Sequence, residues 1–395
     1  FKNNNFTGSL ILKSGINEIR KSSFEACRNI KKVYVDFGTN VFTSSNAFLD
    51  VGSDVGGACI YTNQRDYYNY VSAAGGDGLF QGLPICRGGA FDSRVYRESD
   101  DFILQSRSAD IPPNWYTTTI TNVYLDIGSS ATSIALNAFI GNFSIVGDLY
   151  VPSSVTSIGN TAFQNCNGFD GELILNEGLE YIGASTFDGC DGFVGDLTIP
   201  DSLTGMDTNA FNGCTGFNGE LKIGAGLEII PDNAFRSTKF TGNLTIPSTV
   251  SMISGTEAFQ SCDKLSSLTI EEGCTFIKAR AFDLCSGLKG NLKIPNSVTQ
   301  LGSAVFRDCR GLESLDLGAG LVDINQNCFQ RCTGLQELTL GANLSGANAI
   351  GVRAFLDCSG IQYAYLDIPL AAISNDQSVK FQAEPTSDKV LYVRE

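Results

Sequence analysis

The chain of 395 residues contains no histidine. That absence removes Ser-His-Asp and Cys-His catalysis, histidine-ligated metals and histidine pH switching together. No apolar run approaches the ~20 residues that a bilayer-spanning helix needs, so no membrane insertion is expected. Positive charge is scarce: 27 Lys and Arg stand against 42 Asp and Glu, a net charge of −15. Such a surface repels nucleic acid and anionic lipid, and neither is expected as a partner. Charged residues amount to only 17%, too few for a disordered chain, and 43% apolar residues can bury a sizeable core.

What the chain does have is a period. An Ala-Phe dipeptide, or a close variant, recurs with its Phe at 139, 163, 187, 211, 235 and 259, a step of 24. It continues at 282, 306, 329 and 355 with steps of 23, 24, 23 and 26, and Phe24 and Phe48 are also 24 apart. Leu-x-x-Leu at Leu265–Leu268 and Leu312–Leu315 is one residue shorter than Phe-x-Gly-x-Leu at Phe217–Leu221, which accounts for the two 23-residue steps. The 26-residue step adds residues around Gly346 and Asn348, where a turn tolerates them. Leu315 and Leu317 alternate with Ser314 and Asp316, a strand with leucines inward and polar groups outward. Pro152, Pro200, Pro247 and Pro295 each end a strand. One unit cannot bury its own apolar face. Stacked units can, in a parallel sheet with strands ~4.8 Å apart.

Nine cysteines occupy one slot, three residues after the repeat Phe: Cys27, Cys166, Cys190, Cys214, Cys262, Cys285, Cys309, Cys332 and Cys358. This pattern predicts a ladder of small buried groups, each able to donate a weak S–H bond to backbone. It lacks the close, convergent spacing of a metal site. Four cysteines are off the pattern. Cys328 stands where Ala precedes Phe elsewhere, and Cys274 is isolated. Cys59 and Cys86 share the one irregular region, where they are either a loop-closing disulfide or two free thiols.

The string Val151-Pro-x-x-Val155-x-x-Ile158-Gly-x-x-Ala162-Phe163-x-x-Cys166 resembles the BspA-like leucine-rich repeat family, and the likeness extends over about three quarters of the chain. The resemblance implies a leucine-rich repeat solenoid, α/β but mostly β. It would be a curved right-handed stack of 23–24 residue repeats with a parallel sheet. It also implies a surface-displayed or secreted recognition or adhesion protein. On this reading residues 1–54 are the first repeats, opening in mid-repeat, so that further residues are expected upstream. Residues 55–110 are an irregular Tyr-, Arg- and Gly-rich insertion, or the strand-then-helix element that closes arrays in the family. Residues 111–360 are the main array and 361–395 a closing segment.

Three surfaces are candidates for function. Tyr61, Arg65, Tyr67, Tyr68 and Tyr70 in the insertion combine rigid aromatic area with guanidinium bonding, a composition suited to recognition. Tyr150, beside Ile174, puts a large group on an outward strand face. Asp148, Glu172, Asp196 and Glu220 form one outward column, ~5 Å apart from rung to rung. Their repulsion is relieved either by a bound Ca²⁺ or by salt over a solvated acidic face. No other cofactor is expected, and a row of carboxylates is not the cleft that acid/base catalysis needs, so no enzyme activity is expected. The function expected is extracellular recognition of a protein or glycan on a cell surface. The alternative is a structural subunit of a virion fibre, or of a self-assembling extracellular filament, with the repeats as a spacer.

Overall fold

A 24-residue unit with inward leucines on one strand has nothing of its own to pack them against, so neighbouring units must supply the partner surface. The computed structural model describes the chain without a break over residues 123–341. Beyond these it describes Ile111, 343–344, 346, 349–368 and 372, and elsewhere only the backbone of short strands. Contacts divide the chain into two units. The smaller holds Phe1–Ala109, Asn122–Ala131 and Pro152–Ser154; the larger holds Asp110–Thr121, Thr132–Val151 and Val155–Glu395.

In the larger unit each repeat contributes two short strands, and every recorded pairing between them is parallel. The first series runs from Leu149–Val151 through Leu173–Leu175 to Glu337–Leu340, Tyr363–Leu366 and Val390–Val393. Leu149 faces Leu173 and Val151 faces Leu175, and all four are buried. The second series consists of two-residue strands, from Asp110–Ile111 and Ser133–Ile134 to Gln300–Leu301 and Asp323–Ile324. After the 26-residue step the pairing resumes at Ile350, bridged to Ile324, so the added residues lie between strands.

The third side of each repeat is the Phe turn. Ten phenylalanines, from Phe139 to Phe355, stack as one column with centroids 4.9–5.5 Å apart and rings within 11° of parallel. A second column of Phe169, Phe193, Phe217 and Phe240 continues as Leu265, Leu288, Leu312 and Leu335. The turn backbone is itself a ladder. Phe163 N–H donates to Thr186 C=O at 2.9 Å, Phe187 to Ala210 and Phe211 to Ala234, each at 2.8 Å. Residues two before and two after the Phe take left-handed φ, as at Asn137, Gly141, Asn165 and Asn209. Asn, Gly and Ser accept that conformation cheaply. A chain that reverses to positive φ on both sides of each Phe cannot wind a right-handed helix, and no α-helix occurs among the described residues. The leucine-rich repeat solenoid is built there from strands and turns alone.

The cysteine slot is the buried ladder that the spacing implies. Cys166 Sγ donates to Phe139 C=O at 2.9 Å, Cys190 to Phe163 at 2.9 Å and Cys214 to Phe187 at 3.0 Å. Cys262, Cys285, Cys309, Cys332 and Cys358 repeat the bond at 3.0–3.2 Å. Two described rungs lack the Cys: Asn142 stands in the slot after Phe139, and Thr238 in the slot after Phe235, where its Oγ1 bonds Phe235 C=O and lies 3.3 Å from Cys262 Sγ. Burial pushes the thiols of Cys166, Cys262, Cys328 and Cys358 up to about 12.

In the smaller unit Gly8–Leu12, Ile30–Val35 and Cys59–Tyr61 form a parallel sheet. The segment after it changes to antiparallel pairing, in the hairpin Leu79–Phe80 with Leu83–Pro84 and in Ala90–Asp92, Val95–Glu98 and Asp101–Gln105. Asp101–Gln105 then pairs in parallel with Val123–Asp126.

Two outcomes check this packing. Phe211→Ala opens a cavity in the column and lowers stability by about 3–5 kcal/mol, whereas Leu284→Asn relieves a left-handed Leu and raises it by about 1 kcal/mol; urea titration of both reads the two signs. At pH 8 the native protein exposes no more than three of its thirteen cysteines to a thiol reagent, since the ten described ones are buried and protonated. Rapid labelling of more than three contradicts the ladder.

Candidate functional site

Inward leucines force the alternate residues of each first-series strand outward, so the outward face of this sheet is a fixed grid of side chains. Its chemistry changes along the array. At one end Asp148, Glu172, Asp196 and Glu220 follow one another on successive rungs, as their spacing predicts. Among the described residues no three acidic or cysteine side chains are grouped to hold a metal. The Asp148 carboxylate accepts the N–H of Glu172 at 2.9 Å, and that of Asp196 accepts the N–H of Glu220 at 2.7 Å. The aspartates are therefore engaged in stitching one rung to the next. Partial desolvation, then repulsion from Asp148 and Asp196, raises the Glu172 pKa.

In the middle the column is neutral and internally bonded. Ser267 Oγ donates to Asn243 Oδ1 at 2.9 Å, and Ser314 Oγ donates to Asn291 Oδ1 at 3.1 Å. Between Leu221–Lys222 and Asn243–Ile246 the strand step shortens from 24 to 23 residues, and the only backbone bridge recorded there is Glu220 to Thr241. A depression of about 310 Å³ lies at this seam, lined by Glu220, Leu221, Lys222, Ile223, Asn243 and Thr245. That volume is at the lower end for ligand pockets. Four polar side chains of different character converge on it: a carboxylate, an ammonium, an amide and a hydroxyl.

At the far end the face becomes aromatic. Tyr363 and Tyr365 point outward from one strand, 45% and 41% exposed, opposite Glu337 and Thr339 and in register with Val390 and Tyr392. The repeat reading ended at Cys358 and missed them; the alternation of Tyr363-Ala-Tyr-Leu366 was the signal. Tyr181 was missed as well. Its ring, 39% exposed, lies over Gly205, where an added Cβ would come within 2.8 Å of it, and its hydroxyl bonds Asp207. That bond is the largest cause of a Tyr181 pKa pushed up to about 12.

Tyr150 sits beside Ile174 as predicted, but both are half-buried. Arg65, Tyr67, Tyr68, Tyr70 and Cys86 lie outside the described residues, and of Tyr61 and Cys59 only the backbone, in a strand, is described. The disulfide and the Tyr/Arg cluster therefore stay with the sequence. Among the described residues no helix is long and apolar enough to cross a membrane.

Stacked parallel strands, a Phe turn and a Cys ladder define a leucine-rich repeat solenoid. The chain belongs to the BspA-type leucine-rich repeat family, whose repeat region matches in six copies over residues 1–51, 132–256 and 254–378. Similar solved structures include a leucine-rich cell surface protein from Faecalibacterium prausnitzii, 18% identical, covering 78% of this chain and 94% of that one, with a TM-score of 0.36. A leucine-rich repeat protein from Bacteroides ovatus is 20% identical over 77% of this chain and 91% of its own, with a TM-score of 0.36. The pneumococcal vaccine antigen PcpA is 18% identical over 77% and 83%, with a TM-score of 0.36. No curated protein matches the chain.

The acidic column makes one pH-dependent prediction. An acid whose folded pKa is raised costs stability as pH rises from its ordinary value, 4.5 for Glu172, through the raised one. Glu172→Gln therefore raises the melting temperature at pH 7, and the gain vanishes below the ordinary glutamate value. A gain that persists at pH 3, or none at pH 7, contradicts the raised pKa.

Proposed function

We propose that the protein is a non-enzymatic recognition or adhesion module, displayed outside the cell, that binds a glycan or a protein with the outward face of its first sheet. The observation that carries this reading is the depression around Glu220, Lys222, Asn243 and Thr245, a preformed concavity in an exposed grid whose strands are anchored by buried Leu221 and Leu244. Preformed polar sites bind without the entropy cost of ordering their own side chains. The exposed Tyr363 and Tyr365 extend the same face with flat surfaces of the kind that sugars and proteins dock on. Membership of the BspA-type family supports a surface role, and the ten described cysteines are all buried.

The test is a glycan-array and cell-binding screen of the whole chain, followed by the same assay on Lys222→Ala/Asn243→Ala and on Tyr363→Ala/Tyr365→Ala. Losses of about tenfold or more in one or both pairs are expected, from two or more lost contacts. Full binding by both folded variants contradicts the sheet-face reading.

A further inference from the structure

The charges of the larger unit are unevenly placed. Between Arg107 and Lys222 the chain has no Lys or Arg. The described arginines begin at Arg236, and five of them gather on the Phe-turn edge in two neighbouring bonded clusters. Arg280 Nη1 donates to Glu257 Oε1 at 3.0 Å, and Arg236 Nε lies 3.4 Å from Glu257 Oε2. Arg236 Nε also donates to Gln260 Oε1 at 2.9 Å, and Gln260 Nε2 donates to Asp283 Oδ2 at 2.9 Å. Arg307 forks onto Asp283 with bonds of 2.8 and 2.6 Å. Asp308 takes two forks, one from Arg310 at 3.2 and 3.0 Å and one from Arg331.

Both clusters are layered. The Asp283 and Asp308 side chains are 0% and 1% exposed, while the five arginines above the acids are 26–61% exposed. A buried carboxylate needs a partner, which explains one arginine on each acid. It does not explain the second arginine on Glu257 and on Asp308. Five guanidiniums over three carboxylates leave surplus positive charge at the surface of a protein whose net charge is −15. The acids beneath hold these guanidiniums in place, on rungs ~5 Å apart, with N–H groups still facing water.

We propose that this edge, along the turns of Phe235 to Phe329, docks a sulfated linear polysaccharide. Guanidinium forks match the oxygens of a sulfate group in a bidentate manner that ammonium groups do not. The acids set between the arginines suit anions spaced along a flexible chain. Duplex DNA, with a charge every ~1.7 Å, would meet those acids and the base-free rungs before residue 222 as repulsion. This edge is distinct from the sheet face and does not depend on the reading given for that face.

The test uses the whole chain with heparin as probe, and uncharged dextran and a short DNA duplex as comparators. Binding to heparin at about 50 mM salt is expected, weakening about tenfold or more by about 200 mM, with none to dextran. Arg280→Gln/Arg310→Gln removes the surplus pair and leaves Glu257 with Arg236 and Asp308 with Arg331. It should keep its melting temperature and bind heparin about tenfold more weakly. If that double variant does not fold, Arg310→Gln alone should weaken binding about threefold and Arg310→Lys less. Tyr363→Ala/Tyr365→Ala should bind heparin unchanged, which separates this edge from the sheet face. The proposal is overturned if the native protein ignores heparin at low salt, if the arginine variants bind as tightly as the parent, or if the duplex binds as well as heparin.

Discussion

Every turn of this molecule depends on the contact between one repeat and the next. A 24-residue unit closes no core by itself. Its leucines, its Phe and its Cys are buried only because the same groups recur on the neighbouring rung. The Phe column shows the constraint most plainly: rings 4.9–5.5 Å apart and nearly parallel must rest on one another, and a missing ring would expose two faces. The cysteine lies under the same turn, where its small side chain reaches the carbonyl of the preceding rung's Phe. Where the Cys is absent, Asn142 stands in the slot after Phe139, and Thr238 bonds the carbonyl of its own rung's Phe235 instead.

That inner regularity fixes the outer surface. With core positions constrained, the alternate residues project at set intervals, and variation among them changes surface chemistry without disturbing the stack. The first sheet thus passes from carboxylates to amides and hydroxyls to tyrosines along one continuous face. A depression lies in that face between Leu221–Lys222 and Asn243–Ile246. The Phe-turn edge follows the same logic with different groups, and there buried aspartates set the positions of exposed arginines.

The repeat, its period and its cysteine slot were legible because stacking demands the same residue type at the same place each time. Asn and Gly flanking Phe139, Phe163 and Phe211 signal left-handed turns, but Leu284 and Arg331 hold the same φ without any compositional sign, carried by the rungs on either side. The acidic column was legible as a row of outward groups. The bonding of Asp148 and Asp196 to the next rung's N–H was not, since a face assignment does not say which atoms meet. Tyr363 and Tyr365 lie beyond Cys358, the last Cys of the pattern, where the repeat spacing no longer marks the strand. The arginine edge was available as a column, Gln260, Asp283 and Arg307 at repeat spacing, yet pairing across rungs is needed to see that the acids are buried and the bases exposed.

The central claim is that the Phe turns, which hold no regular strand, are as firmly bonded between rungs as the sheet. Native-state hydrogen exchange of backbone amides tests it most directly. The N–H groups of Phe163, Phe187 and Phe211, each bonded to a carbonyl of the following repeat, should be protected as strongly as the strand amides of Leu149 and Leu197. Rapid exchange at the Phe amides with slow exchange in the strands would show that the turns are not a ladder, and that the sheet alone holds the stack.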